Sequence, residues 1–180
     1  MDKWKIVSEK SILKSRFFEV KEQEVALPDN KKRVYQTVER LPTVNIFPIL
    51  SNDKIYLISQ YRPMFGKRIL EAIAGHVEEN ETTLAGAKRE LKEEVGITAF
   101  QWEEIARIQK SASIIKETAH IFLAQDLELG EAQPDEGEDI ALIKLSLAEA
   151  MEKVVSGEIN DAVTMIGIFM LDRLKREKKL

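Results

Sequence analysis

Hydrophobic and polar residues alternate in short runs along most of the chain, and they change to helical spacing in three segments. Alternation with a period of two predicts strands, whereas apolar residues repeated every three to four positions predict helices. Strands are predicted at residues 4–9, 12–25, 33–40, 43–50, 54–62, 68–74, 100–109, 118–127 and 139–145. Helices are predicted at residues 84–95, 146–155 and 160–175.

Turn and loop signals separate these elements. Residues 27–30 and 51–53 carry turn residues, and residues 110–117 and 129–138 are predicted to be loops, the second of them mobile. Proline has no N–H to donate to a neighbouring strand, so Pro48 indicates that its strand is bulged there or lies at a sheet edge. Strands on both sides of one internal helix, followed by two terminal helices, predict an α+β sandwich.

The first strands of the chain form a small group of their own. A hairpin of that size is not stable alone and must pack against another surface. We therefore predict an N-terminal β subdomain at residues 1–40 and a main domain at residues 41–180.

Composition narrows the classes of function. The 180-residue chain is 44% hydrophobic and 32% charged, as is typical of a folded globular protein. Its net charge of −4 gives no reason to expect binding to nucleic acid or to an anionic membrane. The absence of cysteine excludes disulfides, zinc–thiolate sites and thiol catalysis. No apolar run is long enough for a signal peptide or a membrane span, so we expect a cytoplasmic protein.

The internal helix carries the first candidate chemistry. Its predicted apolar stripe consists of Leu84, Ala87, Leu91 and Val95. Beside that stripe, Glu90, Glu93 and Glu94 fall within an arc of about 100°. Most acidic amphipathic helices are only solvated surface, because close like charges repel one another. Carboxylates beside a buried face also suit hard cations such as Mg²⁺, so the helical pattern alone leaves both interpretations open.

The spacing of residues 75–97 decides between these interpretations. Its order is Gly, five residues, Glu, seven residues, Arg-Glu-apolar, one residue, Glu-Glu, one residue, Gly-apolar. This segment resembles the Nudix hydrolase signature at every defined position. At residue frequencies of about 7% per position, a chance match is on the order of one in several million. A purely structural acidic helix is therefore disfavoured.

Outside the signature, the chain resembles the ADP-ribose (nucleoside diphosphate sugar) pyrophosphatase branch of the Nudix family. Matching segments lie at residues 60–63, 70–75, 135–140 and 157–162, in the family's order. The resemblance implies a Nudix-type α/β/α sandwich with a mixed sheet, preceded by an N-terminal antiparallel β subdomain. It also implies a homodimer in which the N-terminal strands pack across the partner.

The resemblance assigns a divalent metal site to the signature. Glu90 and Glu94 would bind Mg²⁺, with Mn²⁺ as the alternative, together with the backbone carbonyl of Ala74. Glu93 would be a further ligand or would support one. Arg89 would pair with a carboxylate of the motif and hold it in place, since its planar guanidinium suits that contact.

A second acidic segment is expected to complete the catalytic machinery. In the polar loop before the last predicted strand, either Glu136 or Glu138 would complete the metal cluster or act as general base on the attacking water. A diphosphate resists attack because its oxygens are negative, and a metal site with a carboxylate base overcomes both obstacles. The sequence does not choose between the two residues.

Substrate contacts are implied at four positions. Arg40 and Arg62 would hold the diphosphate, since arginine binds phosphate oxygens bidentately, although both also suit ordinary charges at strand ends. Phe17 would stack on the base and Tyr35 would share that task, and in a homodimer both could serve the partner's site. Aromatic side chains are more often core or interface residues, and that interpretation also stays open for these two.

Two departures from the branch affect substrate choice. Ala112 and Ser113 stand where the branch usually has Pro-Gly, and Tyr35 and Gln36 stand where it often has Arg-Glu. The resemblance therefore implies a hydrolase of nucleoside diphosphate sugars, with ADP-ribose favoured and products of a nucleoside monophosphate and a sugar phosphate. The alternatives are a Nudix hydrolase acting on GDP-mannose or dinucleoside polyphosphates, and a non-catalytic sensor of nucleotide sugars.

Overall fold

The computed structural model describes residues 4–29, 31–134, 137 and 139–180. The strands are β1 (Lys5–Lys14), β2 (Phe18–Ala26), β3 (Lys32–Arg40), β4 (Thr43–Pro48), β5 (Lys54–Arg62), β6 (Lys67–Glu71), β7 (Ile73–His76), β8 (Ile97–Gln109), β9 (Ile115–Lys116), β10 (Thr118–Leu129) and β11 (Ile140–Ser146). The helices are α1 (Thr83–Val95), α2 (Leu147–Val155) and α3 (Ala162–Arg176), and a 3₁₀ turn lies at Pro63–Phe65. None of the helices in this described part is long and apolar enough to cross a membrane.

The chain divides into two compact units. The first unit comprises Met1–Pro42 and Gln109–Thr118, and the second comprises Thr43–Ile108 and Ala119–Leu180. In the first unit, β1, β2 and β3 form an antiparallel sheet, and β9 adds a short parallel pairing to β3. Residues 110–117, predicted to be a loop, therefore contain a strand.

The second unit is built on two sheets. One has the order β7-β4-β10-β8, in which β4 runs parallel to β10 and antiparallel to β7. The other is antiparallel with the order β11-β5-β6. The first of these sheets is therefore mixed, as the resemblance implies.

Alternate residues of the central strands enter two different hydrophobic cores. From β4, Val44 and Ile46 pack in the core that contains α1, whereas Phe47 packs in the core that contains α2 and α3. Strand β5 divides in the same way, with Tyr56 in the first core and Leu57 in the second. Side chains of a strand alternate between faces, so both faces of the sheets are covered by helices. The predicted α/β/α sandwich is confirmed.

The structure confirms the turn predicted between the strands at residues 43–50 and 54–62. Residues 51–53 do form a turn, with the N–H of Asp53 bonded to the carbonyl of Leu50. The strands that it joins, however, lie in different sheets and share only an isolated bridge between Ile49 and Ile55. Hydrophobic alternation identifies a strand but does not name its partner.

Pro48 lies at a local sheet edge, which is one of the two predicted alternatives, although β4 as a whole is an interior strand. Its pairing with β7 ends at Ile46, and only β10 pairs beside Pro48, at Ala124. The missing N–H therefore falls at the end of the strand, where the β7 side needs no donor.

The predicted strand at residues 68–74 is two strands, β6 and β7, which enter different sheets. They are separated by Ala72, whose N–H donates a hydrogen bond to the buried hydroxyl of Thr164 at 3.0 Å. That hydroxyl donates in turn to Asp161, the N-cap of α3. The chain can therefore change sheets at Ala72 without losing the hydrogen bond of this buried amide.

Candidate active site on the signature helix

Helix α1 begins and ends where the sequence predicts. Thr82 is its N-cap and accepts a hydrogen bond from the N–H of Ala85, and Gly96 ends it in the left-handed conformation with φ of 67°. Of the predicted stripe, Ala87 and Leu91 are fully buried, whereas Leu84 in the first turn is 37% exposed. The prediction was therefore wrong for Leu84 alone.

Two signature carboxylates lie on the inner side of α1. Glu94 is 7% exposed, and the side chain of Glu90 is 14% exposed. The carboxylate of Glu90 lies directly against the backbone of Gly75 in β7, because a Cβ at Gly75 would be 1.9 to 2.4 Å from its carboxyl atoms. A glycine is therefore required at the start of the signature so that the carboxylate can approach the sheet.

Arg89 binds the signature carboxylates together. Its guanidinium donates to both carboxyl oxygens of Glu81 at 3.1 Å, to Glu90 at 2.8 Å, to Glu93 at 3.0 Å and to the carbonyl of His76 at 3.0 Å. These contacts lower the pKa of Glu81 and raise that of Arg89, with the Glu81–Arg89 bond as the main cause. The guanidinium therefore offsets the like-charge repulsion expected on this helix.

Glu81 is a residue whose part sequence reasoning missed. It belongs to the signature, yet no role was predicted for it. In the structure it accepts both N–H groups of one side of Arg89, and it also accepts the N–H of Glu78 at 3.0 Å. Glu81 therefore fixes Arg89 to the loop that leads into α1. Its defined position in the signature was the sequence signal that could have indicated a role for Glu81.

The donors present suit a hard divalent cation. Among the described residues, no three histidine, cysteine, aspartate or glutamate side chains are placed to hold a metal ion. Glu90 and Glu94 supply carboxylates one turn apart, and Ala74 precedes the glycine that Glu90 contacts. Magnesium is commonly bound by one or two carboxylates, with waters and substrate phosphates completing its shell. The oxygen donors of α1 and β7 thus fit the group that the resemblance implies.

Of the three glutamates predicted to take part in catalysis, only Glu93 lies in the described part of the chain. Glu136 and Glu138 lie outside the described residues. Glu93, predicted as a ligand or its support, is half exposed at its side chain and bonds to Arg89. Its role in hydrolysis stays a prediction.

Arg40, at the end of β3, is bonded to a buried carboxylate in the first unit. Its Nη1 lies 3.0 Å from Glu117, whose side chain is 1% exposed, and Lys110 lies 2.6 Å from the other oxygen of that carboxylate. Two cations thus compensate the buried charge and close the segment at residues 109–118. Sequence reasoning missed Glu117, because nothing local connects it to a partner 77 positions earlier in the chain.

Arg62, at the end of β5, pairs with Glu71 on β6 at 2.8 Å. Burial raises the pKa of Glu71, although the bond from Arg62 opposes that effect. Only the Nε of the guanidinium is used in this bond, and a guanidinium has donors on its other nitrogens as well. The geometry is compatible with the predicted phosphate contact, which stays a prediction.

The structure does not bring Phe17 and Tyr35 together. Phe18 is opposite Arg40 in the β2–β3 pairing, so Tyr35 lies five residues further along β3. At about 3.4 Å per residue, roughly 17 Å separate the two positions. Phe17 is 45% exposed under the guanidinium of Arg16, and Tyr35 contacts Trp4. The two rings thus have different neighbours in this chain, and their part in base stacking stays a prediction.

Comparison with known families decides the membership of the chain. The model of the NUDIX domain matches residues 39–162. The chain belongs to the Nudix family. The resemblance stated from the signature is thereby confirmed, and the match extends from the end of β3 to the start of α3.

Two relatives and one solved structure match this Nudix protein over nine-tenths or more of its length. The ADP-ribose pyrophosphatase of Bacillus subtilis is 31% identical over 171 residues, which cover 91% of this chain and 92% of that protein. The methanol dehydrogenase activator of Bacillus methanolicus is 30% identical over 166 residues, covering 91% and 90%. The crystal structure of an ADP compounds hydrolase has a TM-score of 0.86 at 26% identity, covering 99% of this chain and 97% of that one.

Proposed function

We propose that this Nudix protein hydrolyses the diphosphate bond of ADP-ribose or a related nucleoside diphosphate sugar. The products are a nucleoside monophosphate and a sugar phosphate. The observation that carries the proposal is the complete signature on α1, with Glu90 and Glu94 on its inner side and Arg89 bonded to Glu90 and Glu93. Similarity to an ADP-ribose pyrophosphatase over nine-tenths of the chain supports the substrate class. We expect the reaction to occur in the cytoplasm.

Nudix hydrolases generally need a divalent metal ion, and we propose Mg²⁺ here, held by Glu90, Glu94 and the carbonyl of Ala74. A bound Mg²⁺ neutralises phosphate charge and lowers the pKa of the attacking water. Arg89 keeps the carboxylate of Glu90 in one orientation through the bond at 2.8 Å. A fixed orientation matters because ligands that are free to rotate lose metal affinity.

The remaining roles belong to residues that bind substrate or accept a proton. We propose that Arg62 donates to the phosphate oxygens through nitrogens that do not contact Glu71. Glu136 or Glu138 accepts the proton of the attacking water. Arg40 contributes less directly, since it is bonded to Glu117 and closes the segment that contains Ala112 and Ser113.

A substrate panel tests the proposal. The purified protein is incubated with Mg²⁺ and ADP-ribose, GDP-mannose, UDP-glucose, NADH or diadenosine polyphosphates, and released phosphate is measured after phosphatase treatment. We expect the highest kcat/KM for ADP-ribose. Preference for another member would place the specificity in the altered residues Ala112 and Ser113. Binding of ADP-ribose without cleavage of any member would favour the sensor and contradict the proposal.

We also infer a homodimer in which β1 contacts the partner. Every residue of β1 is exposed, and each of its apolar side chains is about half exposed, namely Ile6, Val7, Ile12 and Leu13. Several exposed apolar side chains on one strand favour a contact site there. Light scattering at micromolar concentration should give twice the chain mass of 20.6 kDa, and Ile12→Glu should reduce it. A wild-type mass of one chain would contradict the dimer.

A further inference from the structure

The segment that connects β10 to β11 is tied to the signature helix at its first end. The N–H of Gly130 donates to the carbonyl of Gly96 at 2.7 Å, and the N–H of Gln133 donates to the carbonyl of Glu93 at 2.8 Å. Both acceptors belong to the last turn and cap of α1, where carbonyls have no partner within the helix. The segment therefore satisfies two carbonyls at the C-terminal end of α1, and the same two hydrogen bonds hold the segment against the helix.

The end of α1 and the segment that follows β10 are in close contact at Gly96. A Cβ on Gly96 would lie 2.6 Å from backbone atoms of Gly130, Glu131 and Ala132. Gly96 also has a φ of 67°, in the region that side chains disfavour. The glycine of the signature thus serves two purposes, the end of the helix and contact with the following segment.

Arg68 holds the other end of the same segment. Its side chain starts on β6, crosses β5 and reaches Asp139, immediately before β11. It donates through Nε to the hydroxyl of Ser59 at 3.1 Å and through Nη2 to the backbone carbonyls of Ser59 and Asp139, the latter at 3.1 Å. Its Nη1 bonds to the carboxylate of Asp139. Four hydrogen bonds from one guanidinium therefore join three strands at this point.

The number of bonds distinguishes this contact from an ordinary surface ion pair. Exposed pairs contribute little stability on their own, and the side chain of Arg68 is 39% exposed. A planar guanidinium bonded at four acceptors, however, fixes the direction of what it holds as well as its distance. The backbone carbonyl of Asp139 is among those acceptors, so the main chain itself is positioned.

We propose that Arg68 is a positioning residue for hydrolysis, because it fixes Asp139, where the acidic segment joins β11, to the sheet that contains β5 and β6. The inference rests on the proposed function, in which this segment supplies the general base. Catalytic groups must be held close to their productive geometry, and small displacements lower turnover strongly. Arg68 has no predicted contact with substrate or metal, so its effect is on turnover rather than on substrate binding.

Three variants test the inference. Arg68→Gln removes the charge and most of the bonds, and Arg68→Lys keeps the charge but not the planar fork. Arg107→Gln is the matched control, because Arg107 also pairs through two hydrogen bonds, to Glu104 on the same strand, away from this segment. Each variant is first compared with wild type by circular dichroism and thermal melting.

Kinetics and hydrogen exchange are then measured on the same preparations. We expect Arg68→Gln to lower kcat for ADP-ribose about tenfold or more with KM unchanged, Arg68→Lys to recover part of that loss, and Arg107→Gln to match wild type. Amide exchange in peptides covering residues 130–140 should be faster in Arg68→Gln than in Arg107→Gln. A merely structural role would lower the melting temperature without this separation of kcat from KM.

The outcomes separate this inference from the proposed function. If wild type hydrolyses ADP-ribose and Arg68→Gln retains the kcat of Arg107→Gln, the inference is overturned and the proposed function stands. Unchanged exchange in residues 130–140 would overturn it as well. If wild type cleaves no substrate of the panel, the proposed function fails, and the catalytic role of Arg68 fails with it.

Discussion

At the scale of single residues, the signature is as much a packing pattern as a set of ligands. Gly75 leaves room for the carboxylate of Glu90, and Arg89 bonds that carboxylate from its other side. Glu81 then fixes Arg89 through two bonds of 3.1 Å. Three defined positions of the signature, Gly75, Glu81 and Arg89, therefore orient the carboxylate of Glu90.

Gly75→Ala tests this interpretation. Its Cβ would fall about 2 Å from the carboxyl atoms of Glu90, so the carboxylate must turn away from β7. We expect turnover and apparent metal affinity to fall by about tenfold or more, since misoriented ligands bind metal weakly. The measurement is initial rate against Mg²⁺ concentration. Turnover and Mg²⁺ dependence equal to wild type would show that Glu90 needs no fixed orientation.

The residues that could be predicted from the sequence are those with a local signal. The signature identifies Glu90, Glu94 and Arg89, because its spacing lies within one helix, and their roles in hydrolysis stay predictions. Glu117 and Arg68 could not be predicted, because their partners lie 77 and 71 positions away in the chain. Such pairs depend on strand register, which alternation alone does not determine.

At the scale of elements, features with a local sequence signal were again predicted, and features that depend on distant residues were not. The ends of α1, α2 and α3 agree with the predictions to within two residues, because Thr82, Ser146 and Asp161 are N-caps with the side chains that this position prefers. The strands were also located, but the sequence did not predict that the chain passes from one sheet to the other at Ala72. A buried hydroxyl from α3 makes that exchange feasible, and such a contact leaves no pattern in the local sequence.

The contact between α1 and the following segment gives a prediction for Gly96→Ala. Both Gly96 and Gly157 have positive φ, of 67° and 79°, but only Gly96 has neighbours within reach of a Cβ. Gly157→Ala should therefore cost only backbone strain, about 1–2 kcal/mol in the free energy of unfolding. Gly96→Ala should cost clearly more in urea unfolding. Equal losses would mean that the segment at residues 130–132 moves away freely.

The sheet of the first unit gives a prediction about pH. Lys116, and after it Lys21, lower the pKa of Glu39. A lowered pKa in the folded state stabilises the fold above the unfolded pKa of about 4.3, and that stabilisation is lost as the pH falls. We therefore expect wild type to lose more of its free energy of unfolding between pH 6 and pH 3 than Glu39→Gln does.

Trp4 fluorescence in a Trp102→Phe background reports this unit, because Trp4 belongs to it and Trp102 to the other. Glu128→Gln, a change of an exposed residue on β10, is the control and should keep the wild-type pH dependence. Parallel pH curves for wild type and Glu39→Gln would contradict the assigned ion pairs.

At the scale of the whole molecule, the sandwich fold of the Nudix family positions the signature helix for the proposed reaction. The covered faces of the sheets place α1 against β4 and β7, so that the carboxylate of Glu90 meets the backbone at Gly75. Membership of the Nudix family and similarity along nearly the full chain agree with that arrangement. The central claim is that these carboxylates support metal-dependent cleavage of a nucleoside diphosphate sugar.

The most direct test compares wild type with Glu94→Gln in the hydrolysis of ADP-ribose at saturating Mg²⁺ and after removal of the metal with EDTA. Glutamine keeps the shape of the side chain but removes its charge, so we expect kcat to fall about a hundredfold or more while the melting curve stays close to that of wild type. EDTA should abolish the activity of wild type. Near-normal turnover by Glu94→Gln, or activity that survives EDTA, would contradict the account.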